Sequence, residues 1–461
     1  MATSPTEPSS WPPPNEPSVV IVGAGFAGVA CAHALGDHGV KVTIIDKNTY
    51  HQFQPLLYQV ATAQLAATEV MSPLRGLFRK QRTVAVKSAE VTSIDPGSRS
   101  VTSSTGEVFT GDYLVLATGS TPNFFGVPGA EENTFPLYSG VDATRLRNRI
   151  LQVFEDADLD PSRIESGALN FVIVGGGPTG VETAGSLADL VFHVMAERYH
   201  DLDVRRARIV LVDHAEVILK PFSDRGHKYA HDVLTNKGVE LMLGASVAEV
   251  DSDKVVLADG RTIQTHCVVW AGGLETRTFD GLGSLPRSRG GRINVVEDLS
   301  VEGYPGLYVV GDGSNAIDGN GKPYPQLASV ALQAGGAAAT NIVSNIANEP
   351  TKPFRYRDRG IMAMIGKRAA IAELGSQRRE IRGWIAFLAW LSVHASLMSS
   401  TRARMDALIS WMWDALSHNR GPAIIDDPNL PPIDWAHPGK TPVQAESDDT
   451  GDGGHHIPLV P

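Results

Sequence analysis

The chain has 461 residues, 42% of them hydrophobic and 20% charged, with a formal net charge of −11. That length accommodates roughly two to four domains of ordinary globular composition, and the acidic balance gives a nucleic-acid partner no electrostatic support. Its two cysteines, Cys31 and Cys267, are far apart with no CxxC pair, which argues against a disulfide framework and a structural zinc site and fits a reducing compartment. No metal site is expected.

Residues 1–17 (MATSPTEPSSWPPPNEP) contain no Lys or Arg and no apolar core of a signal peptide, so they read as a disordered tail without a secretory signal. The ordered chain opens with an apolar strand, 18–22 (SVVIV), that runs into Gly23-Ala24-Gly25-Phe26-Ala27-Gly28. A helical pattern follows from 29 to about 38, then a second strand, 40–45, that ends at Asp46 and Lys47. A later apolar run, 113–116, leads into Ala117-Thr118-Gly119.

The pattern then recurs about 150 residues on. The strand 169–174 (LNFVIV) meets Gly175-Gly176-Gly177-Pro178-Thr179-Gly180, and a helical stretch continues through Ala196. The next strand, 208–212, ends at Asp213, and 267–270 leads into Ala271-Gly272-Gly273. A last strand ends Val309-Val310-Gly311-Asp312.

Strand, glycine turn, helix, strand and acid form the pattern of a dinucleotide cradle. The first glycine allows the tight turn, the second lets the backbone approach a pyrophosphate, and the third lets the helix pack on the strand. The helix N-terminus then turns its free N–H groups toward the phosphates. Gly23, Gly25 and Gly28, with Phe26 and Ala27, form one expected cradle. Gly175, Gly177 and Gly180, with Pro178 and Thr179, form the other. Asp46 lies 18 residues beyond Gly28, where an acid accepts from a ribose hydroxyl. Asp213 lies 33 residues beyond Gly180 because 196–207 reads as an insertion; an acid there repels a 2′-phosphate and predicts NADH over NADPH. The alternatives are ligand-free βα turns and solvated strand-end aspartates.

Two sites imply a division of labour. Asp312 suits the ribityl chain of FAD, or else caps a helix. Ala117, Thr118 and Gly119 are candidate backbone contacts to that cofactor, and Gly272 is their counterpart in the second half. The expected fold is α/β. A Rossmann-like FAD domain (18–140 and 287–350) is interrupted by an NADH domain of the same type (165–285). A helical unit follows at 351–421, and 437–461 is a second disordered tail.

In that last unit, 384–398 (WIAFLAWLSVHASLM) carries no charge yet falls short of the ~20 residues that span a bilayer. Met405, Leu408, Ile409, Met412 and Leu416 then recur at helical spacing, flanked by Trp411 and Trp413. Arg378, Arg379, Arg382, Arg402 and Arg404 lie around them. Such helices suit a membrane interface, or else pack on the protein or on a second subunit.

From about residue 18 to 421 the sequence resembles the type II NADH dehydrogenases, the non-proton-pumping NADH:quinone oxidoreductases. The segment 53–62 (FQPLLYQVAT) is similar to the family's stretch near the flavin, and 175–182 (GGGPTGVE) to its NADH motif. The resemblance implies that Glu182 lies near nicotinamide and flavin, and that Asp312 is the FAD-site aspartate. It likens 361–366 to the segment after the quinone motif. One departure stands out: the family's AQxAxQ quinone motif reads Ala328-Ser329-Val330-Ala331-Leu332-Gln333 here. Gln333 is kept, while Ser329 replaces the first glutamine, with room for a water in the gap. A helix-packing role is the alternative for Gln333. Ala328, Ser329 and Gln333 are the quinone-site candidates, and Glu182 and Gln333 the residues expected nearest the reaction. The resemblance further implies a monotopic protein on the cytoplasmic face of the cell membrane, docked by its C-terminal helices, and a homodimer. The rival readings are a soluble NADH oxidase or diaphorase and a redox-sensing flavoprotein.

Overall fold

Uninterrupted apolar runs belong to strands covered on both faces, which is the situation in parallel sheets flanked by helices. The computed structural model describes residues 16–375, 377–417, 420–427 and 431–435. Apart from Glu16 and Pro17, the two stretches expected as tails lie outside the described residues.

Strand β1 (Ser18–Val22) is followed by helix α1 (Phe26–Asp37), β2 (Lys41–Asp46), β3 (Val84–Ser88) and β4 (Tyr113–Leu116). These four strands lie parallel in the order β3-β2-β1-β4, with Val19, Val20, Ile21 and Val22 of β1 all buried. The chain then forms α2 (Gly140–Leu159), β5 (Asn170–Val174), α3 (Pro178–Asp189), β6 (Arg208–Asp213), β7 (Val239–Leu243) and β8 (Cys267–Trp270). A second parallel sheet results, in the order β7-β6-β5-β8. Strand β9 (Tyr304–Val309) returns to the first sheet and pairs with β4, Leu307 opposite Leu114. One Rossmann-like unit is thus interrupted by another. Helix α4 (Ala328–Ile346) closes the first by lying on α1, so near that a β-carbon on Gly335 would stand 2.1 Å from the Ala27 carbonyl oxygen.

Three details depart from the sequence reading. Phe135–Pro136 pairs with β8, so it belongs to the second sheet although residues up to 140 were grouped with the first. The stretch left unassigned before 165 is α2, a 20-residue helix begun by a capping box in which Ser139 and Asp142 bond each other's backbone N–H. Helix α3 continues through a π-helical turn, Leu190–Met195, as far as Arg198.

The C-terminal unit, expected to be helical, begins as a three-stranded antiparallel sheet: β10 (Gly360–Gly366), β11 (Ala369–Leu374) and β12 (Arg379–Arg382). Short β-branched and apolar runs joined by tight turns form hairpins more readily than helices. Helices α5 (Gly383–Leu397) and α6 (Thr401–Leu416) follow. Among the described residues no helix is long and apolar enough to cross a membrane. The buried face of α6 is Ala403, Ala407, Trp411 and Asp414. Its apolar stripe, from Met405 to Leu416, faces outward instead, with Met412 58% and Leu416 82% exposed. On α5, Ala386, Trp390 and Ala395 are buried while Trp384 is 63% exposed. The stripe therefore does not pack on this chain.

Strand β10 lies directly on α3. A β-carbon on Gly185 would stand 2.1 Å from the Ile365 carbonyl oxygen, too close for any side chain. Gly185→Ala should therefore force α3 and β10 apart and lower stability by about 1–3 kcal/mol in thermal or urea unfolding. An unchanged midpoint would contradict the contact.

Candidate nucleotide cradles and the junction between them

The two glycine turns fold alike because the same steric demands act on both. Gly23 and Gly175 have φ of +99° and +113°, a region closed to most side chains. A β-carbon on Gly28 would stand 1.9 Å from the Gly23 carbonyl oxygen, and one on Gly180 would stand 1.8 Å from that of Gly175. The middle glycines differ: at Gly25 and Gly177 nothing lies within 4 Å of the missing β-carbon. Packing does not require these two, so the open space in front of them fits a ligand that approaches the backbone. Behind each turn a helix begins, α1 at Phe26 and α3 at Pro178, whose ring suits the first helical position.

The two acids occupy matching places. Asp46 accepts from Ala24 N at 2.7 Å and from Asn48 N at 2.7 Å. Asp213 accepts from Gly176 N and, at 2.6 Å, from Ala215 N. Each carboxylate holds its own glycine turn and keeps lone pairs for a further donor. The solvated-aspartate alternative does not describe this geometry. Lys47 is exposed.

Residues far apart in sequence join the first cradle. A β-carbon on Gly23 would meet the Ala117 carbonyl, and one on Gly313 would lie 3.5 Å from Thr118 Oγ1. Gly119 has φ of +68°. Asp312 sits in a short turn after β9 and accepts from Ser120 Oγ at 2.9 Å. Burial raises its pKa, against the Ser120 bond and the Arg292 guanidinium, which lower it. Phe26 meets His51 and Phe53 edge to face, at centroid distances of 5.2 and 5.6 Å. In the second cradle a β-carbon on Gly175 would stand 3.0 Å from Gly272 N.

Glu182 lies one turn into α3, nine-tenths buried, where α3, the helix Leu57–Ala61, β10 and α5 converge. Its Oε1 accepts from Met364 N at 3.1 Å. Burial pushes its pKa up to about 8, opposed by the Met364 bond and by the Trp390 indole. That indole N–H lies near the carboxyl but outside hydrogen-bonding geometry, so it is buried without a partner. Tyr58 donates to Met364 Sδ at 3.3 Å, and burial, with Glu182 nearby, raises its pKa well above the usual tyrosine value. Trp390 stacks on His394 at 3.9 Å, and burial pushes that imidazole down to about 4.

The expected quinone motif borders the first cradle: a β-carbon on Gly311 would stand 3.7 Å from Ala331 Cβ. Ala328 is the first residue of α4. Gln333 both accepts from Arg357 N (2.9 Å) and donates to Arg357 O (3.2 Å), as its helix-packing alternative requires. Ser329 Oγ lies 2.9 Å from Tyr356 OH. Cys31 and Cys267 are buried and unpaired, with both thiols pushed up to about 12 by burial, so neither resembles a redox thiolate.

Sequence reasoning missed Trp390, His394 and Tyr356. The first two sit within a run read only for its apolarity; their four-residue spacing, which puts them on one helix face, was the available signal.

The state of Glu182 leads to a prediction. Its folded-state pKa is raised, so its contribution to stability is fully present below about 4.5 and is lost as the pH rises toward about 8. Across that window the thermal midpoint of the wild type should fall relative to that of Glu182→Gln. Parallel midpoint-against-pH curves would show that the carboxyl is not held neutral.

Comparison with known proteins agrees with this geometry. The pyridine nucleotide-disulphide oxidoreductase family model matches residues 17–335. The type II NADH:quinone oxidoreductase Ndh of Mycobacterium tuberculosis is 36% identical over 440 residues, covering 92% of this chain and 93% of its own. A type II NADH:quinone oxidoreductase of Staphylococcus saprophyticus is 30% identical, covering 76% and 87%. The structure of NDH2 from Plasmodium falciparum in complex with NADH superposes with a TM-score of 0.80 at 18% identity, over 87% of this chain and 99% of that one, a likeness of fold. The chain belongs to the type II NADH:quinone oxidoreductases.

Proposed function

We propose that the first cradle holds FAD, the second holds NADH, and electrons leave for a membrane quinone without proton pumping. The observation that carries this reading is the pair of matching cradles whose middle glycines face open space, Gly25 and Gly177. Residues 18–140 and 287–350 then serve as the FAD unit, 165–285 as the NADH unit, and 351–421 as the docking unit.

FAD supplies the redox chemistry when bound, accepting a hydride from NADH and passing two electrons on to quinone. The chain's own residues bind, orient and hold protons. Gly23, Gly25, Phe26, Ala27 and Gly28 present backbone to one pyrophosphate, with Asp46 fixing the turn; Asp312 and the Ala117-Thr118-Gly119 turn line the same unit. Gly175, Gly177, Pro178, Thr179 and Gly180 do the same for NADH, and the Asp213 carboxylate disfavours a 2′-phosphate. Burial raises the pKa of Glu182 to about 8, which favours the neutral carboxyl. Its Oε1 already accepts from Met364, which leaves Oε2 to hold the one proton that the net reaction of NADH with quinone, to NAD⁺ and quinol, takes up beyond the hydride. Gln333 and Ser329 shape the start of α4 through Arg357 and Tyr356.

The outward stripe of α5 and α6 supports docking on a membrane surface, at the cytoplasmic face where NADH is available. Apolar side chains flanked by arginine and tryptophan favour that interface, and a lipid-soluble quinone would enter there. A second copy of the chain is the competing occupant.

Steady-state NADH oxidation by the purified protein, in detergent, with a short-chain quinone against oxygen alone, tests the reading. Fast turnover that depends on quinone is the expected result. NADH-driven flavin reduction without quinone turnover would instead favour a diaphorase or sensor. Leu408→Glu with Met412→Glu should release the protein from lipid vesicles while leaving turnover of a water-soluble acceptor unchanged. Retention on vesicles would remove the stripe from the docking surface.

A further inference from the structure

The segment that crosses from the first sheet to the second contains a residue that neither fold nor packing explains. Residues 122–129 read Pro-Asn-Phe-Phe-Gly-Val-Pro-Gly. Val127 N donates to Phe124 O at 3.0 Å, and the two central residues of the turn, Phe125 and Gly126, have φ of +53° and +69°. A turn with two positive φ values is ordinarily built from Asn, Asp and Gly. Phenylalanine at the first of these places is strained, and its ring gains little from burial, since Phe125 is 64% exposed. The neighbouring ring, Phe124, does pack, at 5.6 Å from Trp270. A strained backbone carrying an exposed aromatic ring indicates a role other than stability.

The position of the ring suggests that role. Asn123 N donates to Gly273 O at 3.0 Å, Asn123 Oδ1 accepts from Phe125 N at 2.7 Å, and Trp270 Nε1 donates to Asn123 O at 2.8 Å. The turn is thus fastened to the end of β8. The ring lies on Gly273, where a β-carbon would stand 2.8 Å from Phe125 Cζ. Gly273 follows Gly272, whose N–H borders the second cradle at Gly175.

The layout of the second sheet identifies which part of a dinucleotide passes there. Asp213 ends β6 and marks the adenosine ribose; the glycine turn after β5 marks the pyrophosphate. β8 lies on the opposite side of β5 from β6, so the nicotinamide half extends over the end of β8. We infer that Phe125 is a positioning residue for NADH, its exposed ring forming an apolar wall against the nicotinamide half. The inference rests on the assignment of NADH to the second cradle. Aromatic faces suit this task because they offer a flat, rigid surface to a flat ring.

The test uses the holoprotein. Phe125→Asn supplies the residue type that the turn prefers, so its thermal midpoint should match or exceed that of the wild type. Its KM for NADH and its Kd for NAD⁺ should nevertheless rise about tenfold, with the KM for a short-chain quinone unchanged. Phe125→Tyr should restore both NADH parameters. Asp213→Asn serves as the control on the cradle, and should weaken NADH and narrow its advantage over NADPH. If Phe125→Asn binds NAD⁺ and NADH as the wild type does while Asp213→Asn is impaired, the role of Phe125 is overturned and the cradle assignment stands. If neither variant changes, both are overturned.

Discussion

The structure depends on one contact made twice: the third glycine of each cradle rests against the carbonyl of the first, with no room for a β-carbon between them. That contact sets how closely α1 and α3 lie on β1 and β5, and hence where each helix N-terminus points. Each strand-end acid then locks its turn from the far side, Asp46 through Ala24 and Asp213 through Gly176. The open faces of Gly25 and Gly177 are what this bracing leaves for a ligand. A cradle that is rigid before binding loses little entropy on binding.

Helix α3 carries that constraint into the rest of the molecule. Its N-terminus belongs to the second cradle, Glu182 lies one turn further on, and Gly185 sits against β10. Three features are therefore joined along about two turns of one helix: the second cradle, a buried carboxyl and the seat of the C-terminal unit. Burial raises the pKa of the Glu182 carboxyl to about 8, against the lowering by the Met364 N–H and the Trp390 indole. The same C-terminal unit turns apolar side chains outward on α5 and α6, so the buried carboxyl and the exposed stripe lie on opposite sides of one layer.

Much of this was legible in the sequence, for reasons that differ by element. The cradles were readable because glycine spacing, strand and acid are local signals that tertiary context rarely overrides. The return of β9 to the first sheet was readable from its terminal aspartate. The C-terminal sheet was less so, because β10 and β11 are short, and an apolar stretch of that length does not distinguish strand from helix. Phe135–Pro136 is a two-residue edge strand, too short to leave a pattern. The roles of Ser329 and Gln333 depend on Tyr356 and Arg357, more than twenty residues away, which no spacing rule connects. The inward face of α5 was hidden by the helix's uniform apolarity: both faces are apolar, and only tertiary packing separates Trp390 from Trp384.

The central claim is that two similar cradles hold two different dinucleotides that exchange electrons. Anaerobic titration of the purified holoprotein with NADH, followed by flavin absorbance, tests it most directly. The account predicts one FAD per chain, bleached by one equivalent of NADH. A chain that carries no flavin, or a flavin that stays oxidised in excess NADH, would contradict it.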